Sequence, residues 1–236
     1  MEKNDEIILR ESIKNLIYNL HEKYGWFNNE ELNNTPERIE NFYKEWYENN
    51  GFNFTKFKIN GKESMVILRD ISYYSMCSHH LLPFFGTISI AYLPGPSGYI
   101  AGVSKLVRSV NKIASKPQLQ ENMTSEIVEL LYKNLDPLFV MVIARGQHMC
   151  MMMRGVKQEN ATMITSAIKY NEMIKNEPES LKNEALKSMG LNFYTITQLF
   201  LMSCFPAAVA FISMPAGHFI LFSSSSLNFF PQSIKI

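Results

Sequence analysis

Apolar residues recur at helical spacing over residues 6–24, EIILRESIKNLIYNLHEKY, where Ile7, Ile13, Leu16, Ile17, Leu20 and Tyr24 fall near one face with charged residues between them. An amphipathic surface helix is predicted there. Thr35 followed by Pro36 reads as an N-cap and a first helical residue, so a second helix is expected through ERIENFYKEWYENN to a stop near Gly51, with Arg38 in its first turn. From Ser64 the period changes. SMVILRDISYYSM and GTISIAYLPG are rich in β-branched and aromatic residues and predict two strands, the second closed by the turn-forming PGPSG. Ser104 can cap a helix over SKLVRSVNKIASK, in which Leu106, Val107, Val110, Ile113 and Ala114 share a face and leave Lys105 and Arg108 exposed. A further helix is expected over 122–135, broken at Asp136-Pro137, and then two strand-like runs, PLFVMVIARG and HMCMMMRGV. Helices and strands in blocks, without strict βαβ alternation, predict an α+β fold with an antiparallel sheet.

The pattern breaks once more near the end of the chain. Residues 188–234 contain no Asp, Glu, Lys or Arg, and LFLMSCFPAAVAFI is almost wholly apolar. The chain therefore divides into a helical N-terminal region, 1–50, a body, 51–190, and an apolar tail, 191–236. A membrane span needs about 20 apolar residues, and 193–222 is long enough, but Pro206, Pro215 and Gly217 interrupt it. No charged flank fixes a topology, which favours a terminus that does not pack over membrane association.

Composition adds boundaries. At 236 residues and 46% hydrophobic content the chain can bury a substantial core. Lys and Arg number 23 against 22 Asp and Glu, which gives no sign of a nucleic-acid or acidic-membrane partner, so any anion site must be local. Three widely spaced cysteines, and no secretory signal at the start, predict a cytoplasmic, reducing setting with thiols free for metal or chemistry.

The chemistry concentrates in two segments. In SMCSHHLLPFFG, Cys77 and His80 have the Cys-x-x-His spacing by which one loop presents two zinc ligands. Adjacent histidines in extended chain point apart, so His79 is free for proton transfer while His80 ligates. In HMCMMMRG, strand periodicity would put His148, Cys150, Met152 and Arg154 on one face, each pair about 7 Å apart. Cys150 is then the third ligand, His148 flanks the metal, and Arg154 lies about 13 Å along the strand, suited to an elongated anionic substrate. Cys, His and Cys with an open fourth position is the ligand set of a catalytic zinc. The plainer readings are a chance Cys-x-x-His, core cysteines, a methionine run that fills the core, and Lys105 and Arg108 as a solvated face. A structural zinc would need a fourth protein ligand, and the remaining cysteine, Cys204, is in the tail.

From TPERIENFY to about residue 175 the chain resembles GTP cyclohydrolase I, through MCSHHLLPFFGTISIAYLP, GVSKLVRSVNKIASKPQLQENMT and HMCMMMRGVKQENATMITSA, three separated segments in order. The resemblance implies a tunnelling fold whose subunits close into barrel-like rings, stacked as a homodecamer with active sites at subunit interfaces. It implies zinc on Cys77, His80 and Cys150, and conversion of GTP and water to 7,8-dihydroneopterin triphosphate and formate by attack of activated water at C8 of guanine. His148 would act as the acid toward the ring nitrogen and His79 in later proton transfers. Glu121 matches the guanine-binding carboxylate, with Gln120 beside it. Ser104, Lys105, Arg108, Arg154 and, more weakly, Arg38 match the groups around ribose and triphosphate. The product would feed folate or tetrahydrobiopterin synthesis.

Two positions depart from the family pattern, Ser78 where an acidic residue is usual and Asn122 where an arginine commonly follows the glutamate. Neither removes a ligand or acid, so effects on rate or assembly are expected. The tail has no counterpart in the family. An alternative from another class is a non-catalytic subunit of the same fold that binds GTP and zinc with turnover impaired by the tail.

Overall fold

The computed structural model describes residues 3–48, 53–59, 64–174, 178–190, 209–213 and 219–223. Two compact units divide the chain, Met1–Ala185 and Leu186–Ile236. Chemistry-bearing residues lie in the first. In the second, Val209–Ser213 and Phe219–Ser223 pair as an antiparallel hairpin. The rest of the predicted tail, with Cys204, lies outside the described residues. No helix among the described residues is long and apolar enough to cross a membrane.

The first unit opens with α1 (Lys3–Tyr24) and α2 (Asn29–Glu48), joined by a small core of Ile13, Ile17 and Leu32. Leu16 and Tyr24, expected on the buried face of α1, are exposed, because the packed stripe is only as wide as Ile13 and Ile17. The second helix starts upstream of the Thr35-Pro36 signal. Asn28 and Glu31 exchange two hydrogen bonds, each side chain accepting from the other's backbone N–H at 2.9 Å, which satisfies two first-turn donors and fixes the start. The helix then runs through Pro36, placing Arg38 in mid-helix and exposed. Buried Glu40 ties the helices together by pairing with Arg10 of α1 and with Lys44 one turn on.

Short strands β1 (Lys56–Lys58) and β4 (Tyr99–Ala101) form a two-stranded ribbon. The main sheet contains β2 (Val66–Cys77), β3 (Pro83–Leu93), β5 (Pro117–Gln118), β6 (Phe139–His148) and β7 (Met163–Tyr170), in the order β5-β2-β3-β6-β7. All its pairings are antiparallel except β5 against the end of β2. Helices α3 (Val103–Ala114) and α4 (Gln120–Leu135) pack on the sheet, and Leu106, Val110, Ile127 and Leu131 meet Tyr73, Phe84, Ile88, Ile90, Val140 and Val142 in one core. The α+β expectation is met.

Two local expectations are not. Helix α3 begins at Val103 with extended Gly102 at its N-cap, so Ser104 lies inside the first turn and does not cap it. The run HMCMMMRGV is not a strand either. Strand β6 ends at His148, and Met149–Met152 makes a one-turn helix, α5, closed by Met153 N–H donating to the Met149 carbonyl at 3.0 Å. The next strand is instead β7, MITSAIKY, which pairs with β6 along its length.

Strand parity positions the site. Residues 71, 73, 75 and 77 of β2, the even residues of β3 from Phe84, and the even residues of β6 through His148 face the helix layer. Phe84 pairs directly with His148, and Ser75 with Phe84. Cys77, Phe84 and His148 therefore share one end and one face of the sheet, under the start of α4.

Candidate metal centre and active site

The Cys77 turn is built by backbone hydrogen bonds. Cys77 N–H donates to the Leu82 carbonyl, while the Cys77 carbonyl accepts from Leu81 at 2.8 Å and from His80 at 3.3 Å. Closing so tight a turn puts Leu81 at φ 51, a left-handed conformation that a branched side chain adopts at a cost of about 1–2 kcal/mol. The turn brings His80 Nδ1 to 3.7 Å from Cys77 Sγ. From the other side, α5 folds Cys150 back, so that ligand atoms of Cys77, His80 and Cys150 lie within 4.8 Å of one another.

This donor set fits a small soft cation. Two edges of a tetrahedral zinc site with ordinary Zn–S and Zn–N bonds span about 3.6 Å, close to the existing sulfur–nitrogen separation. Burial and the adjacent Cys77 thiol push the Cys150 thiol up, the behaviour of a sulfur pair that needs a cation to ionise. Cys77 is buried, Cys150 half-buried and His80 exposed, so the cluster opens toward solvent on the histidine side.

Arg154 is closer than strand geometry predicts. Instead of lying about 13 Å away, it returns through the turn after α5, and its Nη1 sits 3.0 Å from His80 Nε2. The reason is the end of β6 at His148: a helical turn advances the chain far less than a strand and reverses it. His79 is exposed, its ring edge-on to that of His80 at 6.2 Å between centroids.

His148 is held by two contacts. Its ring stacks on Phe84 at 4.6 Å with 2° between planes, and its Nε2 lies 2.9 Å from Gln120 Oε1. Burial holds the imidazole below its ordinary pKa, and the Glu121 carboxylate, one residue past Gln120, partly offsets this. Strand β5 joins the start of α4 to the metal turn: Cys77 pairs with Gln118, and Ser78 N–H donates to the Gln118 carbonyl at 3.2 Å. The departures from the family pattern, Ser78 and Asn122, are exposed.

The structure thus brings together Cys77, His80, Cys150, Arg154, His148, Gln120 and Glu121. Ser104, Lys105 and Arg108 occupy the first half of α3, and Arg38 lies on α2, with no hydrogen bond among the described residues joining them to this group. Sequence reasoning missed Phe84, stacked on His148, and Tyr73 and Thr165, which contact Gln120 beside it. Strand parity was the available signal for the first two, and Thr165 required β7 to be recognised.

Comparison with known proteins places these residues in context. The sequence profile of the family described as GTP cyclohydrolase I matches residues 9–189. A GTP cyclohydrolase 1 of Clostridium perfringens is 38% identical over 192 residues, which cover 79% of this chain and 99% of that protein. The GTP cyclohydrolase 1 of Aquifex aeolicus is 42% identical over 156 residues, 65% of this chain and 84% of that one. That of Bacillus subtilis is 42% identical over 148 residues, covering 60% and 76% respectively.

Proposed function

The chain belongs to the GTP cyclohydrolase I family, and on that premise we propose that Cys77, His80 and Cys150 hold the zinc ion with which it converts GTP and water to 7,8-dihydroneopterin triphosphate and formate. The observation that carries this reading is the convergence of three ligand atoms, supplied by a turn and a helical turn on different strands, beside a buried histidine. A zinc ion bound there would supply Lewis acidity and lower the pKa of water.

The chain's own residues divide the remaining work. Glu121, exposed in the first turn of α4, accepts hydrogen bonds from N1 and the exocyclic amine of guanine. With Gln120 adjacent in chain and Cys77 tied to Gln118, binding the base at Glu121 brings its five-membered ring toward the metal cluster. His148 moves a proton at the imidazole nitrogen that does not face Gln120, and because burial lowers its pKa the imidazolium formed there gives that proton up readily. His79 serves later proton transfers. Arg154 leaves His80 for a phosphate, where a planar guanidinium can make paired hydrogen bonds. Ser104, Lys105, Arg108 and Arg38 complete the ribose and triphosphate subsite.

Assembly belongs to the same reading. Tyr74, Ile164, Ile168 and Tyr170 are exposed on the sheet, and β7 is its edge strand, a surface suited to continuing the sheet into another copy. We propose the family's barrel-like rings, stacked as a decamer in the cytoplasm, with Lys105, Arg108 and Arg38 reaching a neighbouring subunit's metal cluster.

The test compares the full chain with a version ending at Gly190, both zinc-loaded and given GTP. Formate release, with a pterin that fluoresces after oxidation, is expected from at least the shorter chain. Absence of formate from both, in assembled and zinc-loaded protein, refutes the function.

A further inference from the structure

Gln120 is 1% exposed, and both ends of its amide are committed. Its nitrogen faces the Ala144 carbonyl at 3.2 Å, the Met163 carbonyl at 3.1 Å and the Thr165 hydroxyl at 3.1 Å. Its oxygen faces the Tyr73 hydroxyl at 3.3 Å and His148 Nε2 at 2.9 Å. Two of the groups around the nitrogen are carbonyls, which can only accept, so the amide cannot be turned over without setting oxygen against oxygen.

The hydroxyls agree with this assignment. Thr124 donates to the Gln120 backbone carbonyl at 2.7 Å, so its oxygen accepts from Thr165, 2.7 Å away. Thr165, having given its only proton to Thr124, is left to accept from the Gln120 amide. Every proton in the network is accounted for, and the sequence ends at the Gln120 carbonyl oxygen. That oxygen can only accept, so the hydrogen bond from His148 requires a proton on Nε2.

Gly146 makes the arrangement possible. A Cβ there would lie 2.2 Å from Gln120 Oε1 and 2.5 Å from the Tyr73 hydroxyl, so the residue two before His148 on the same strand face must lack a side chain. Phe84, stacked on the imidazole, fixes the plane in which the hydrogen bond is made.

We infer that Gln120 is a positioning residue that holds His148 in its Nε2–H tautomer and so presents Nδ1 as the nitrogen that meets the substrate. The inference deepens the proposed function and rests on it for the role of His148, but it concerns hydrogen-bond direction in the protein itself. It also gives Gln120 a task distinct from that of its neighbour: Glu121, exposed, binds the base, and Gln120, buried, acts through the histidine. A positioned general acid or base contributes roughly 10²–10⁴-fold, so loss of the correct tautomer forfeits a sizeable part of that.

The experiment uses the full zinc-loaded protein labelled with 15N-histidine, with the His148 signal assigned by its loss in His148→Gln. Long-range proton–nitrogen correlation should show the Nε2–H tautomer in the unsubstituted protein. In Gln120→Met, which keeps the length and removes the acceptor, that tautomer should give way to Nδ1–H or to a mixture. Turnover should fall at least tenfold with the KM for GTP and the zinc content unchanged. Gln120→Leu removes the same acceptor and supplies the same readout if the methionine variant does not fold, and an Nδ1–H tautomer in the unsubstituted protein overturns the inference without any variant. An unaltered tautomer in Gln120→Met overturns the inference, as does a tenfold rise in KM with turnover unchanged, which would put Gln120 on the substrate. Absence of formate from the unsubstituted protein would instead refute the proposed function and leave the tautomer assignment standing on its spectrum.

Discussion

Replacing Gly146 with alanine tests the packing on which the His148 environment depends. The added carbon would sit 2.2 Å from Gln120 Oε1, more than 1 Å inside normal contact. Both opposing atoms are ends of side chains, but neither is free to swing, since Gln120 and Tyr73 are each 1% exposed. Overpacking of this kind costs about 1–3 kcal/mol. If Gln120 yields, the Ala144 and Met163 carbonyls and the His148 N–H lose a partner, at about 1–3 kcal/mol for each one left unsatisfied. Against this, alanine in a strand is worth roughly 0.5–1 kcal/mol over glycine. A net loss of about 2–4 kcal/mol follows, a fall on the order of 10 °C in melting temperature for a chain of this size. Thermal and urea unfolding measure it, and formate release should fall with it. The decisive variant is the double substitution Gly146→Ala with Gln120→Ala. With the opposing amide gone the alanine has room, so the two costs should fall short of additive by more than about 1 kcal/mol. Additive costs, or a Gly146→Ala protein that melts within 2 °C of the original, would refute the reasoning.

Other outcomes follow from the same contacts. Arg10 first, then Lys44, hold the Glu40 carboxyl below its ordinary range, so ionised Glu40 stabilises the α1–α2 pair at pH above the unfolded carboxylate value, and this is lost as pH falls through the lower folded value. Acid melting curves should therefore show a loss below about pH 4.5 that Glu40→Gln lacks, and identical pH dependence in both would count against the pairing. Arg154→Ala should raise the KM for GTP tenfold or more with zinc content unchanged, and loss of zinc would instead assign the arginine to holding the His80 ring. Leu81→Gly relieves the left-handed strain at φ 51 and should stabilise by up to about 1 kcal/mol after the entropy lost to glycine, whereas a clear fall in melting temperature would show the turn is not strained.

The candidate metal-binding side chains were legible because their signal is local chemistry. Cys-x-x-His is read from four consecutive residues, and Cys150 stood out as the cysteine with a histidine two residues away. The structure brings the three side chains together, but by a different route from the one periodicity suggested. Extending the β6 pattern through HMCMMMRG placed Arg154 far from the metal because methionine, cysteine and histidine carry no strong preference that would mark where the strand stops. The start of α2 had competing signals, and the reciprocal Asn28 and Glu31 bonds prevailed over Thr35-Pro36. Strands β1, β4 and β5, two or three residues each, are too short to show a period, and they exist through pairing. The role of Gln120 depends on residues 73, 144, 148, 163 and 165 arriving from three strands, which no local pattern contains.

The central claim is that Cys77, His80 and Cys150 hold the metal while His148 handles a proton without ligating it. Zinc content and formate release, measured together on Cys150→Ala and His148→Ala, test it most directly. Cys150→Ala should lose both metal and formate, and His148→Ala should keep full zinc while formate release falls by two or more orders of magnitude. A Cys150→Ala protein that retains zinc and turns over GTP, or a His148→Ala protein that loses its zinc, would contradict the account.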